Sequence, residues 1–155
     1  MKRNLAKFLS LPTEKKRIML EALAYLALAR VMKALPFSRI APSLGGRALE
    51  TPLVHDPSDE TAIRRVAQAV RVMSRHTVWE SQCLVRAIAA KKMLERRRIE
   101  STLYLGTARN GEGKMIAHAW LRSGPFYVTG AEEMRMFTTV AAFGSNKRAE
   151  RMEGA

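Results

Sequence analysis

The chain has a single cysteine, Cys83, in 155 residues. No internal disulfide can form, which excludes an oxidatively stapled secreted domain and fits a reducing, cytoplasmic setting. Long apolar runs are also lacking. The longest uncharged one, "ALAYLALA" at 22–29, falls far short of the ~18 residues that a membrane-spanning helix requires. It reads as a buried helix, and no transmembrane segment is expected. The apolar part of "MKRNLAKFLSLPTEKKR" is interrupted by Lys7 and ends at Pro12, too short for a signal-peptide core, so no secretion signal is expected either. Histidine is limited to His55, His76 and His118. With Cys83 these number four possible zinc ligands, yet no pair has the short spacing of structural zinc, so neither a metal nor a cofactor is expected.

Acidic residues are few: 14 Asp and Glu stand against 27 Lys and Arg, a formal charge of +13. That excess points to a polyanionic partner, an anionic membrane surface or an acidic peptide. Aromatic-studded basic strands and a helix-turn-helix are missing, and the cations are dispersed along the chain, so no specific nucleic-acid binding is expected. Dispersed charge of this kind suits an acidic peptide and its carrier protein better.

What is present reads as helices followed by strands. Thr13 and Glu14 after Pro12 open a helix with Ile18, Ala22, Tyr25, Leu26, Ala29 and Met32 at helical spacing, and Pro36 ends it. Residues 36–59 are rich in proline and glycine and read as connecting loop with one short turn of helix. Ser58 or Asp59 caps a second helix, apolar at Ile63, Val66, Val70 and Met73 and polar at Arg64, Arg65, Gln68 and Arg71. A third helix runs from about Ser81, as cap, to Arg97. The period then changes. "STLYLGTA" (101–108), "MIAHAWLR" (115–122) and "FYVT" (126–129) are strands joined by turns at "RNGEGK" and "SGP", and "MFTTVAAF" (136–143) is a fourth. The fold class is therefore α+β, with one domain: an N-terminal helical segment (1–57), a core (58–143) and a basic tail (144–155).

The chemistry centres on "HTVWESQCLVRAIAAKKMLERR", residues 76–97. Cys83 falls at a helix start, where backbone N–H groups and the macrodipole favour an anion. His118 lies in mid-strand, and folding the helix back onto the sheet sets the two to meet across the helix–sheet seam. Such a pair supplies a nucleophile and a proton for a leaving amine, the two tasks of covalent acyl transfer. A small buried thiol and a satisfied core histidine account for the same residues equally well. Backbone N–H groups of the helix start are better oxyanion donors than Gln82, whose side chain points away. Trp120 shares the face of His118 and either roofs a site or fills a core.

The segments "WESQCLVRAIAAKKMLERRRIESTLYLGTA" and "AHAWLRSGPFYVTGAEE" resemble the stand-alone leader peptidases of lasso-peptide biosynthesis, a family of the transglutaminase-like cysteine protease superfamily. The resemblance covers about residues 60–143. It implies a Cys-bearing helix packed on a small antiparallel sheet, Cys83 as nucleophile and His118 as general base. It also implies removal of the leader from a lasso precursor peptide, whose core a separate asparagine-synthetase-like cyclase closes. Residues 1–57 leave no room for a winged-helix domain, so leader recognition falls to a separate protein.

The family usually supplies an Asp after the His, and none follows His118 here. A two-residue turn at Ser123 and Gly124 sets His118 opposite Thr129, whose hydroxyl then accepts from the ring; Glu132 is the rival, with a carboxylate but a looser approach. The missing Asp leaves a second function open, a catalytically degenerate basic module that binds an acidic peptide or nucleic acid.

Overall fold

The computed structural model describes residues 2–77 and 82–145. Among these residues five helices come in chain order: α1 (Lys2–Leu9), α2 (Thr13–Ala34), α3 (Phe37–Ile40), α4 (Glu60–Ser74) and α5 (Cys83–Arg96). The five strands are β1 (Gly46–Arg47), β2 (Thr102–Arg109), β3 (Met115–Ser123), β4 (Phe126–Thr129) and β5 (Thr138–Gly144), in the spatial order β1-β5-β2-β3-β4. Every neighbouring pair is antiparallel.

The helices that organise the core are the three read from the sequence. α2 starts after Pro12, carries Glu14 in its first turn where an acid complements the macrodipole, and stops before Pro36. It buries Ala22, Leu26 and Ala29, and the two alanines let neighbouring helices approach closely. α4 buries Ile63, Val66, Ala69 and Val70 and leaves Arg64, Arg65, Gln68 and Arg71 in solvent. A 3-10 turn at Pro57–Asp59 precedes it, and the side chain that caps that turn is Asp56, which accepts from the Ser58 amide at 2.9 Å.

α5 is the central helix, buried on nearly every side from Val85 to Leu94. It lies beside α2, held by Arg97, whose two terminal nitrogens donate to Glu21 at 2.6 and 2.7 Å. The helix ends as Arg98 adopts φ of +57°, the left-handed turn usually given to glycine, and the chain reverses into β2 within a few residues. Lys91, wholly inside the core, donates to the Ser101 carbonyl at 3.1 Å and lies 3.7 Å from Glu95. Burial pulls its ammonium down to a pKa of about 8.

The β2–β3 turn is closed by Asn110, whose side-chain oxygen accepts from the Glu112 and Lys114 amides. The β3–β4 turn differs from the expected one. Ser123 pairs with Phe126, so the turn residues are Gly124 and Pro125. Gly124 takes φ of +54° and Pro125 fixes the negative φ that follows, the pattern of a II′ turn. A bulge between Leu121 and Arg122 then sets Thr129 opposite Leu121, not His118.

Three further differences concern the edges. Residues 36–59 hold more structure than a loop: α3, a 3-10 turn at Ala41–Leu44, and β1, which pairs with Phe143 and Gly144 at the end of β5. β5 begins at Thr138, after a 3-10 turn at Met134–Met136. α5 begins at Cys83 with Gln82 at its cap position; the proposed cap Ser81, and the tail from 146 onward, lie outside the described residues.

The sheet has two unlike faces. Leu103, Ala119, Leu121, Val128 and Phe143 join α2, α4 and α5 in one aliphatic core. The alternate residues Tyr104, Trp120 and Ala142 form a second cluster, covered by Met134 and Phe137. Arg122 lies on this second face, buried, and its guanidinium donates to the Thr51 and Gly124 carbonyls at 2.8 Å, to Pro52 at 3.2 Å and to the Tyr104 hydroxyl at 3.1 Å. It pins the chain around Thr51 to the sheet.

Candidate active site

Cys83 is the first residue of α5, a free thiol, half-buried against the aliphatic core. The first helical hydrogen bond runs from the Arg86 amide to the Gln82 carbonyl at 3.0 Å. The amides of Cys83, Leu84 and Val85 therefore precede the helical ladder and point out of the helix start, the arrangement that receives an anion. Gln82 turns its side-chain oxygen to Lys33 near the end of α2.

His118 sits in the middle of β3 and is 5% exposed. Its ring is held by one hydrogen bond and has a carboxylate near its other nitrogen. Nε2 lies 2.9 Å from the Gly130 carbonyl oxygen, and Nδ1 lies 3.8 Å from a carboxylate oxygen of Glu133. Trp120 stacks at 5.8 Å between centroids and Phe137 lies at 5.0 Å. Because a carbonyl only accepts, the Gly130 contact places the proton on Nε2 in the neutral ring. Nδ1 is left with its lone pair, turned toward Glu133. Gly130 is needed there: at φ of +73° a Cβ would fall 2.6 Å from the Ala119 oxygen and 3.1 Å from Nε2. Gly106, opposite His118 on β2, is likewise required, since a Cβ would meet the Trp120 ring and Phe137 at 2.8–2.9 Å.

Neither side chain expected beside the imidazole hydrogen-bonds or ion-pairs with it among the described residues. The register just described carries Thr129 away, and its hydroxyl is buried without a hydrogen-bond partner among the described residues. Glu132 is exposed, and the nearby carboxylate belongs to the next residue, Glu133. The Gly130 oxygen had no sequence signal, because every residue carries a carbonyl; the one hint was a glycine closing a strand.

The other histidines are elsewhere. His55 lies edge-on to Phe126 at 4.9 Å, with Glu60 at 3.9 Å, and His76 is exposed just past α4.

Cys83 and His118 belong to different layers, the start of α5 and the middle of β3. From the Lys91–Ser101 contact, α5 rises ~12 Å to Cys83 at ~1.5 Å per residue. β2 rises ~17 Å to Gly106, the partner of His118, at ~3.3 Å per residue. Strand alternation nevertheless turns His118 toward Trp120, on the face away from Ala119 and Leu121, which meet the helices. His118 therefore does not share the sheet face that packs on the helices, and among the described residues no hydrogen bond joins the Cys83 sulfur to the imidazole.

A cavity of about 340 Å³ opens on the face of His118. Tyr104, Trp120, Tyr127, Phe137 and Arg135 line it, so it shares two of its walls with the imidazole. A larger groove of about 1480 Å³ lies between α2 and α4, lined by Ile18, Tyr25, Ala62 and Arg65 among others, and neither Cys83 nor His118 borders it. Among the described residues no helix is long and apolar enough to cross a membrane.

No curated protein and no solved structure matches the chain. The family model for the transglutaminase-like superfamily does, over residues 22–142, a span that takes in α4, α5, most of the sheet, Cys83 and His118. A helix opening on the sole cysteine, laid on an antiparallel sheet with a clamped histidine, is thus part of a match over most of the sequence, and the chain belongs to the transglutaminase-like superfamily.

Proposed function

We propose that this protein is a cysteine peptidase that removes the leader from a lasso-peptide precursor, with Cys83 as nucleophile and His118 as base. The observation that carries the reading is the clamp on His118. A ring fixed through Nε2 by a main-chain oxygen has one basic nitrogen, Nδ1, and a set orientation, which is what a general base requires. In this reading the Gly130 carbonyl takes the orienting role that an Asp plays in related enzymes. Membership of the superfamily and a thiol at a helix start support the same assignment.

The reaction runs in two balanced steps. Cys83 passes its proton to Nδ1, and the sulfur attacks the scissile carbonyl, whose oxygen takes negative charge and accepts from amides at the start of α5. The C–N bond breaks as the imidazolium protonates the leaving amine, and a thioester remains. Water, losing a proton to Nδ1, then hydrolyses the thioester and restores the thiol. The freed amine is the new amino terminus of the core peptide, on which a separate asparagine-synthetase-like cyclase acts. Leader recognition is assigned to a separate protein, and the setting is the cytoplasm.

The test is mass-spectrometric: the protein, a precursor peptide encoded beside it and the recognition protein are incubated together. Cleavage at one bond before the core supports the reading, and an intact precursor contradicts it. A second reading, a binding module that has lost catalysis, is favoured by the separation of Cys83 and His118 onto different layers. It predicts that the precursor binds and is not cut.

A further inference from the structure

α1 is amphipathic, and none of its residues is buried. Leu5 and Leu9 are 59% and 61% exposed, and with Phe8 they fill one arc of the helix, while Arg3 and Lys7 lie opposite. α2 continues the theme. Leu20, Leu28 and Val31 are exposed as well. At about 100° per residue they fall within about 80° of one another, on the side opposite the buried Ala22, Leu26 and Ala29. Residues 2–35 hold eight Lys and Arg against two acids, Glu14 and Glu21, and Glu21 is already held by Arg97.

We propose that α1 and the exposed stripe of α2 form a peripheral docking surface for an anionic lipid bilayer. The helices lie on the membrane and do not cross it. Leucine and phenylalanine on one side and dispersed Lys and Arg on the other are what an interfacial helix needs: apolar side chains enter the headgroup boundary while long cationic ones remain at the phosphates. A second copy of this chain is the wrong occupant, because like charges of +13 repel. An acidic protein matches the charge but needs a fixed acid opposite each cation. Mobile anionic lipids gather under scattered cations without any register, and the cations here are scattered over two helices. The proposal is independent of the catalytic reading.

Vesicle co-sedimentation of the full chain tests it, using equal parts phosphatidylglycerol and phosphatidylcholine against phosphatidylcholine alone. Binding should favour the anionic vesicles by about tenfold or more and weaken with salt, as expected for an anchor that combines charge with apolar insertion. The double variant Leu5→Ala, Leu9→Ala keeps every charge and removes no buried side chain. It should lose about tenfold in vesicle binding with an unchanged circular dichroism spectrum and thermal midpoint. Lys2→Gln with Lys7→Gln should lose the preference for anionic lipid. Equal binding to both vesicle types, or full binding by the double leucine variant, would overturn the proposal. So would capture of poly-glutamate without vesicle binding, which would assign the surface to an acidic protein.

Discussion

The two faces of the sheet are built from the same strands and differ in almost every other respect. Toward the helices the side chains are apolar, mostly aliphatic, and close-packed: Leu103, Leu121, Val128 and Phe143 with Leu26, Val66, Ile88 and Leu94. Away from them they are aromatic and polar: Tyr104, Trp120, His118 and Arg122, under a short turn rather than a layer of helices, with a cavity beside them. Strand alternation produces the contrast, because each residue on the closed face has neighbours on the open one. The closed face supplies stability, and in the proposed reading the open face presents chemistry. Cys83, the proposed nucleophile, is the exception, packed against the closed layer at the start of α5.

That division is broken most severely by losing either reacting group. Cys83→Ala and His118→Ala should each lower turnover by about 10⁴-fold or more, non-additively, with the fold retained and the thermal midpoint lowered only by His118→Ala, which removes a buried ring. Circular dichroism melts and the cleavage assay check the two halves. Retained turnover in either variant removes that residue from the mechanism.

Next in size is the clamp. Gly130→Ala forces a Cβ to within 3.1 Å of Nε2 and 2.6 Å of the Ala119 oxygen. A misplaced imidazole should slow turnover by about 100-fold. Thr129→Ala and Glu132→Ala should be close to wild type, because neither side chain reaches the ring. A large loss with either would reinstate it as the orienting residue and displace the Gly130 carbonyl.

On the closed face, Leu26→Ala or Leu94→Ala should cost about 2–5 kcal/mol, read from chemical denaturation, since both side chains are fully buried. The folded fraction should keep wild-type turnover. A catalytic loss larger than the folded fraction explains would show that the two faces are coupled.

The smallest expected effect belongs to Lys91, the one ammonium within the closed face. Its folded pKa of about 8 lies below the ordinary 10.5, so between those values the unfolded chain binds more protons. Stability should therefore rise as pH increases from about 8 to 10.5 and should lack this contribution below 8. Glu95, at 3.7 Å, and Lys92 act on the same ammonium in opposite senses. Lys91→Met should flatten the rise, and denaturation at pH 7 should show it no less stable than wild type. The Ser101 carbonyl would still accept from the Ser145 amide at 3.0 Å. An undiminished rise in the variant would assign it to another group.

The closed face was legible in the sequence and the open face only in part. Ile63, Val66 and Val70 announce α4 by their spacing, and the alternation in 101–108 and 115–122 announces β2 and β3, because burying one face leaves a period. β1 is two residues long and owes its existence to pairing with Gly144 and Phe143, so it leaves no period to read. Thr129 was misplaced by a turn shifted one position, from Ser123–Gly124 to Gly124–Pro125, and by the bulge beside it; in a strand of period two such shifts decide what a side chain faces. Glu133 was missed by a single residue for a related reason: the chain turns after Gly130 instead of continuing the strand. In α1 the helical period of Leu5, Phe8 and Leu9 is present in the sequence but spans only two turns, too few to stand out from a basic N-terminal segment.

The central claim is that His118, from the open face, acts on the sulfur at the start of α5. The presence of one cysteine makes this directly measurable, since iodoacetamide reacts far faster with a thiol than with any other side chain and intact mass reports the rate of the first addition. At neutral pH the wild-type protein should be alkylated at least about tenfold faster than His118→Ala, because a base within reach raises the thiolate fraction. Equal rates in the two proteins would contradict the account and leave Cys83 and His118 as residues of separate layers with no shared chemistry.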